Sequence, residues 1–257
     1  MLLAINANNT NVKFAMFDGE TKAGEWRIST DSARTADEYA VWLTQLMAND
    51  SLKPASVTAC IVAIVVPQAL FELRLLCEKY FSCQALVIGE AGVDLGIQAL
   101  IDQPSEAGAD RLVNAVAGHT HYGGPLIIVD FGTGTTFDVV DEQGNYIGGV
   151  IAPGINLSIE ALYMAAAKLP RIAIENPGQV IGKTTSTAMK SGVFWGYIGL
   201  IEGLIARILR EHGRADMKVI ATGGLASLFD GATDVFDAVD PDLTMKGLVE
   251  IYGRNHS

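Results

Sequence analysis

The first residues, MLLAINANNTNVKFAMFDG, carry an apolar run that breaks at Asn6-Ala7-Asn8-Asn9-Thr10-Asn11, resumes from Val12 to Phe17 and turns at Asp18-Gly19. Short apolar runs bounded by turn residues read as buried strands. Strands are therefore expected over 2–6, 12–17 and 24–29, an antiparallel meander with Asp-Gly as its hairpin signal. Thr35 can cap a helix running to about residue 48, because Glu38 stands three residues on and Tyr39, Trp42, Leu43 and Leu46 share one face. Val57–Val66 then reads as a buried strand ending at Pro67, Ala69–Phe81 as a helix and Gln84–Ile88 as a short strand.

The pattern changes near residue 108, where Gly108-Ala109-Asp110-Arg111 leads into an apolar helix over Leu112–His119. From Leu126 to Asn145 the chain repeats the plan of its opening: strand, polar turn, strand, hairpin turn, strand. Ile5-Asn6-Ala7-Asn8-Asn9-Thr10 and Val129-Asp130-Phe131-Gly132-Thr133-Gly134 both place an Asp or Asn at a strand end, one spacer, then small polar residues. Two such hairpins, each opening a half of the chain, indicate a duplicated βββαβα unit. The expected fold is α/β, two like domains over 1–115 and 116–257 with a cleft between them. Further helices are expected over Ala161–Ala167 and Thr187–Leu209, the latter a core or dimer helix with Met189, Val193, Tyr197, Leu200, Ile201, Leu204, Ile205 and Ile208 at helical spacing.

Composition narrows the partners. The 257 residues are 49% hydrophobic and 18% charged, an ordinary globular balance that suits one large domain or two smaller ones. A net charge of −11 repels nucleic acid and anionic lipid, so neither is an expected partner. Cys60, Cys77 and Cys83 lack metal-ligand spacing and read as buried free thiols of a reducing cytosol. No Lys or Arg precedes the short first apolar run, which fits neither a signal peptide nor a membrane helix, and a cytoplasmic location is expected.

The strand-turn-strand bends can offer backbone N–H groups to a phosphate, with Thr10 or Thr135 adding a hydroxyl. An ordinary tight hairpin has the same local pattern, and the pairing of two is what favours phosphate. Asp130 ends an apolar strand, where a carboxylate is costly unless it binds a cation or accepts hydrogen bonds. Asn6, its counterpart, has an amide oxygen but no charge, which weakens any Mg²⁺ held there. Asp110 could take a proton from a hydroxyl substrate and Arg111 could grip a carboxylate, although a surface N-cap with a solvated arginine has the same signature. Gly182-Lys183-Thr184-Thr185-Ser186 is not a phosphate-binding P-loop, since residue 177 is proline where that motif needs glycine. Thr222-Gly223-Gly224-Leu225-Ala226 follows a strand and opens a helix, a weak signal for an anionic or flat ligand. The four histidines are scattered.

Taken in order, WRISTDSARTADEY at 26–39, GADRLVNAVA at 108–117, IVDFGTGTTFDVVD at 128–141, GGVIAPGI at 148–155, IGKTTSTAMKSG at 181–192 and TGGLA at 222–226 resemble the type III pantothenate kinase family over essentially the whole chain. The resemblance implies a duplicated actin-like, ribonuclease-H-like fold, a homodimer, and ATP-dependent phosphorylation of pantothenate to 4′-phosphopantothenate in coenzyme A synthesis. It implies Mg²⁺ and a monovalent cation, K⁺ or NH₄⁺. Asp110 would be the general base, and Gly108, Ala109, Arg111 and Ile101 would line the pantothenate pocket, which Thr185 reaches from the neighbouring subunit. Asn6, Asn8, Asn9, Thr10, Asn11, Lys13, Thr133, Gly134, Thr135, Gly223 and Gly224 would contact ATP, with Thr136 beside them. Asp130 would serve the monovalent cation and Asn6 a weakened Mg²⁺ site. The departures gather at ligands: Asn6 and Asn8 stand where the family has Asp and Gly, Ile101 where it has Tyr, Ala63-Ile64 where it has Ser-Ser, and Thr184 where it has Asn. Losing a carboxylate beside a metal costs about 1–4 kcal/mol, about tenfold to a thousandfold in rate. The competing expectation is therefore a weakly active or non-catalytic relative that binds ligand or regulates.

Overall fold

The computed structural model describes residues 1–165 and 169–256. Ala166 and Ala167, the end of the helix expected over 161–167, lie outside the described residues.

The chain forms two compact units, residues 1–117 with 243–257, and residues 118–242. In the first, β1 (Leu2–Ala7), β2 (Asn11–Asp18) and β3 (Thr21–Ser29) form the expected antiparallel meander. Next come α1 (Ala36–Asn49), β4 (Ala59–Ile64), α2 (Leu70–Phe81) and β5 (Ala85–Val87), with β4 parallel to β1 and β5 parallel to β4. The order across the sheet is β3-β2-β1-β4-β5. The capping box that starts α1 is present: Thr35 accepts from the Glu38 N–H, and the Thr35 N–H donates to Glu38 Oε2 at 2.8 Å. The strand read as Val57–Val66 is shorter, because Pro54–Ser56 and Pro67–Ala69 each close a 3₁₀ turn at its flanks.

The unbroken apolar run of β1 means that both faces are covered. Leu3, Ile5, Val12, Phe14 and Met16 pack beneath α1 and α2. Leu2, Ala4, Ala15, Phe17, Ile61 and Ala63 pack on the other face, against Val113 and Val116 of α3 (Ala109–Tyr122) and Met245, Leu248 and Ile251 of α7 (Leu243–Arg254). The period of two thus sorts each strand between two helical layers. Cys60 and Cys77 are buried free thiols and Cys83 is half-buried. The neighbouring Cys77 thiol and burial together hold the Cys60 thiol protonated.

The second unit repeats the topology. Strands β6 (Leu126–Phe131), β7 (Gly134–Val140) and β8 (Tyr146–Pro153) form a meander, and β9 (Lys218–Thr222) and β10 (Ala238–Val239) add parallel strands beside β6. The order β8-β7-β6-β9-β10 matches the first sheet strand for strand. Between β8 and β9 lie α4 (Ile155–Ala165) and α5 (Thr185–His212), and α6 (Ala226–Phe229) is a single turn. Helix α5 starts two residues before the expected Thr187, because the Thr187 N–H donates to Thr184 Oγ1 and the Thr184 N–H donates back to Thr187 Oγ1. It is long and apolar enough to span a membrane by length and composition, but Phe194, Tyr197, Ile198, Ile201 and Ile205 are buried in the core of this unit.

A cut at residue 115 differs from these units at the end of the chain. Helix α7 returns to the first unit, where its apolar face covers β1 and β4.

Candidate active site

In the first unit, β1 and β2 join at a loop in which the Asn8 N–H donates to the Asn11 carbonyl at 3.0 Å. The loop is tied to the end of β3: Thr30 Oγ1 donates to the Asn8 carbonyl at 2.5 Å, and the Thr30 N–H to the Thr10 carbonyl at 2.9 Å. In the second unit the corresponding turn is one residue shorter, closed by the Gly132 N–H on the Gly134 carbonyl at 3.0 Å. Gly132 does not use a left-handed backbone, and a Cβ built there would meet its nearest heavy atom at 3.4 Å. Asn8, at the corresponding place in the first hairpin, likewise does not use a left-handed backbone. A left-handed glycine is therefore not needed to make either bend.

Strand parity decides which side chains share a site. Asn6 lies beside Lys13 on β2 and Ala63 on β4. Asp130 lies beside Thr136 on β7 and Thr222 on β9. Thr135 is on the other face, buried, with its hydroxyl bonded to the Tyr197 phenol of α5, so the expectation that its side chain contacts ATP is corrected: the pleat turns it into the core. Thr136 Oγ1 donates its proton to the buried Asp138 at 2.8 Å, which leaves only lone pairs to present to a ligand. Thr222 Oγ1 is buried, with no hydrogen-bond partner among the described residues.

Gly223 follows Thr222 with φ +91°, and a Cβ there would sit 2.4 Å from Asp130 Oδ1. This glycine is the close approach that lets the Asp130 carboxylate fit. Gly224 is open on all sides. The helix these glycines open, α6, spans four residues, too few to supply the helix-terminus field expected of TGGLA. A stronger helix terminus lies elsewhere: a Cβ on Gly154, just before α4, would lie 2.2 Å from the Thr133 carbonyl oxygen, so this glycine lets the α4 N-terminus approach the tip of the second hairpin. GGVIAPGI carried that signal, but nothing in its spacing said which turn it would meet.

Asp110 sits in the first turn of α3, whose Ala109 packs on the sheet face that carries Asn6. The Arg111 N–H donates to Asp110 Oδ1 at 2.9 Å, and the Gly108 carbonyl accepts the Arg111 and Leu112 N–H groups. A Cβ on Gly108 would lie 2.7 Å from that Oδ1, so glycine makes the space the carboxylate fills. Burial pushes the Asp110 carboxyl above its ordinary value, and the Arg111 N–H and guanidinium only partly offset it. This is the environment of a carboxylate poised to take a proton. Ile101 is half-buried in the stretch before α3, and Thr185 is the exposed first residue of α5. Asn9 and Thr10 are exposed at the first tip, and the Lys13 ammonium is paired with Glu25 at 3.1 Å.

The two cation positions differ in donor chemistry. Asp130, the lone pairs of Thr136 and the unpartnered Thr222 hydroxyl are an all-oxygen, singly charged set that suits a monovalent cation. At the first hairpin Asn6 and Asn8 offer neutral amide oxygens, and among the described residues no three His, Cys, Asp or Glu side chains gather to hold a metal. That set does not hold Mg²⁺ by itself.

Two five-stranded sheets of one topology, each opened by a polar hairpin, define the duplicated actin-like fold. A conserved Baf family protein from Campylobacter jejuni shares it with a TM-score of 0.62 at 18% identity, covering 99% of this chain and 98% of that one. A candidate 2-dehydro-3-deoxygalactonokinase from Sinorhizobium meliloti shares it at 0.58 and 16%, covering 99% and 96%. The chain belongs to the type III pantothenate kinase family: the family's model matches residues 2–207. The type III pantothenate kinase of Paramagnetospirillum magneticum is 62% identical over 255 residues, 99% of this chain and 98% of that relative.

Proposed function

We propose that the protein transfers the γ-phosphoryl group of ATP to the primary hydroxyl of pantothenate, giving 4′-phosphopantothenate and ADP, the first step of coenzyme A synthesis. The observation that carries this reading is Asp110, a partly desolvated carboxylate fitted against Gly108 at a helix start, in a chain of this family. As the hydroxyl oxygen bonds to phosphorus, its proton passes to Asp110, and the bond from phosphorus to the β,γ-bridging oxygen breaks with its electron pair leaving on ADP. Arg111 grips the pantothenate carboxylate, while Gly108, Ala109 and Ile101 shape its pocket and Thr185 enters from a second subunit. Thr133, Gly134 and the α4 N-terminus orient the phosphates, with Asn9, Thr10, Asn11, Lys13 and Gly224 as further nucleotide contacts. Asp130, Thr136 and Thr222 would hold a monovalent cation. Mg²⁺ bound with the nucleotide would supply neutralisation of the transferring charge.

A homodimer in the cytoplasm completes this reading. Its support is the apolar surface of the second unit, where Ile151, Leu157, Met164, Val180 and Ile181 are exposed. Incubating the protein with ATP, Mg²⁺, K⁺ and pantothenate, and weighing the products, tests the activity. A mass gain of one phosphoryl group on pantothenate is expected, and no product above a protein-free control at high protein concentration overturns it.

A further inference from the structure

We infer that the first hairpin of this chain meets the phosphate chain of the nucleotide directly, through the Asn6 and Asn8 amides, with no divalent ion between them. The inference rests on the nucleotide reading above and concerns how that one hairpin works. Across the sheet at the level of Asn6, register places Ala63, Asn6, Lys13 and Arg27 side by side on one face. The row holds an amide and two cations and no carboxylate, although Glu25 on the next rung pairs with Lys13 at 3.1 Å. The matching row of the second unit is Thr222, Asp130, Thr136 and Ile151, with one carboxylate, two hydroxyls and no cation. One row is composed for an anion and the other for a cation.

The state of the amides agrees. Asn6 is 6% exposed, and among the described residues no donor reaches the Oδ1 of Asn6 or of Asn8. No protein partner fixes that oxygen, so each amide can turn its NH₂ toward a phosphate oxygen, which a carboxylate cannot do. A divalent ion at the same place would face two neutral amides and an ammonium, a donor set Mg²⁺ does not select. Replacing the acid has therefore exchanged a metal-bridged contact for a hydrogen-bonded one, and the bend is retained because Asn8 needs no left-handed backbone.

The test is ATP binding by calorimetry without pantothenate, in Mg²⁺ and in EDTA. For the unaltered protein the two Kd values are expected within about threefold of each other. Asn6→Asp puts a carboxylate against the phosphates, so its affinity in EDTA is expected to fall by about tenfold or more and to recover with Mg²⁺. Where Asn6→Asp melts well below the unaltered protein, Asn6→Ala serves instead: the loss of one charge-assisted bond weakens ATP about tenfold, equally in both media. A tenfold or larger drop of the unaltered protein in EDTA, an Asn6→Asp protein that behaves like its parent, or an Asn6→Ala loss confined to Mg²⁺ overturns the direct contact and leaves the kinase reading standing. No ATP binding in either medium overturns both.

Discussion

As the proposed base, Asp110 meets two demands at once, since burial raises its proton affinity and also makes its charge costly. A carboxyl whose folded pKa is raised contributes stability at pH values below its unfolded value of about 3.9 and loses it as pH rises through the folded value. At neutral pH the charge therefore works against the fold. Asp110→Asn is expected to lower turnover by about 10²–10⁴-fold and to leave the melting temperature at pH 7 equal or higher, with that gain vanishing below about pH 4. Steady-state rates and melts across pH check both halves, and turnover retained within tenfold removes Asp110 as the base. Gly108→Ala forces the carboxylate out of place and is expected to cut kcat more than it changes the KM for ATP. Gly108, Asp110 and Arg111 were legible as a cluster in the sequence, because a helix start keeps its neighbours together. The orientation of Thr135 was not, because adjacent threonines at 135 and 136 differ only in which face of the pleat they occupy.

The two hairpins show how far local sequence reaches at the level of elements. Their apolar-then-polar pattern located both turns and the antiparallel meanders they belong to. Two parallel strand neighbours, β4 and β9, were beyond that reach, and they supply Ala63 to one row and Thr222 to the other. The same neighbour imposes Gly223, whose backbone is left-handed and where a Cβ would collide with the Asp130 carboxylate. Gly223→Ala is expected to destabilise the protein by about 1–3 kcal/mol from backbone strain alone, read by chemical denaturation, with a further loss of K⁺ activation as Asp130 is displaced. Thr136→Val keeps the volume but removes the lone pairs, and should raise the K⁺ concentration for half-maximal rate; an unchanged K⁺ dependence excludes Thr136 as a ligand.

At the scale of the whole molecule, the last helix decides whether the first sheet is covered. Leu248 and Ile251 are fully buried, and with Met245 they pack over the β1 and β4 face that carries Leu2, Ala4 and Ile61. Leu248→Ala is expected to cost about 2–5 kcal/mol, and a chain ending before Leu243 should leave that face exposed and fail to fold as a soluble species, as judged by expression and circular dichroism. The exposed apolar residues of α4, β8 and 180–181 make the companion prediction that light scattering gives twice the chain mass, and that charged substitutions at Met164 and Ile181 halve it.

The sequence by itself determined the opening meander of each half, helices α1, α2, α3 and α5, the duplication and the cluster around Asp110, because periodicity, caps and turn residues act over a few neighbours and survive being read one stretch at a time. Tertiary structure decided the return of α7 to the first unit, the burial of Thr135 under Tyr197, the close approach of Gly223 to Asp130 and the placing of Ala63 beside Asn6. Each of these depends on which distant strand or helix lies alongside, and the energy that selects the neighbour is the burial of whole faces. A run of residues displays its own pattern, but not the face that will cover it.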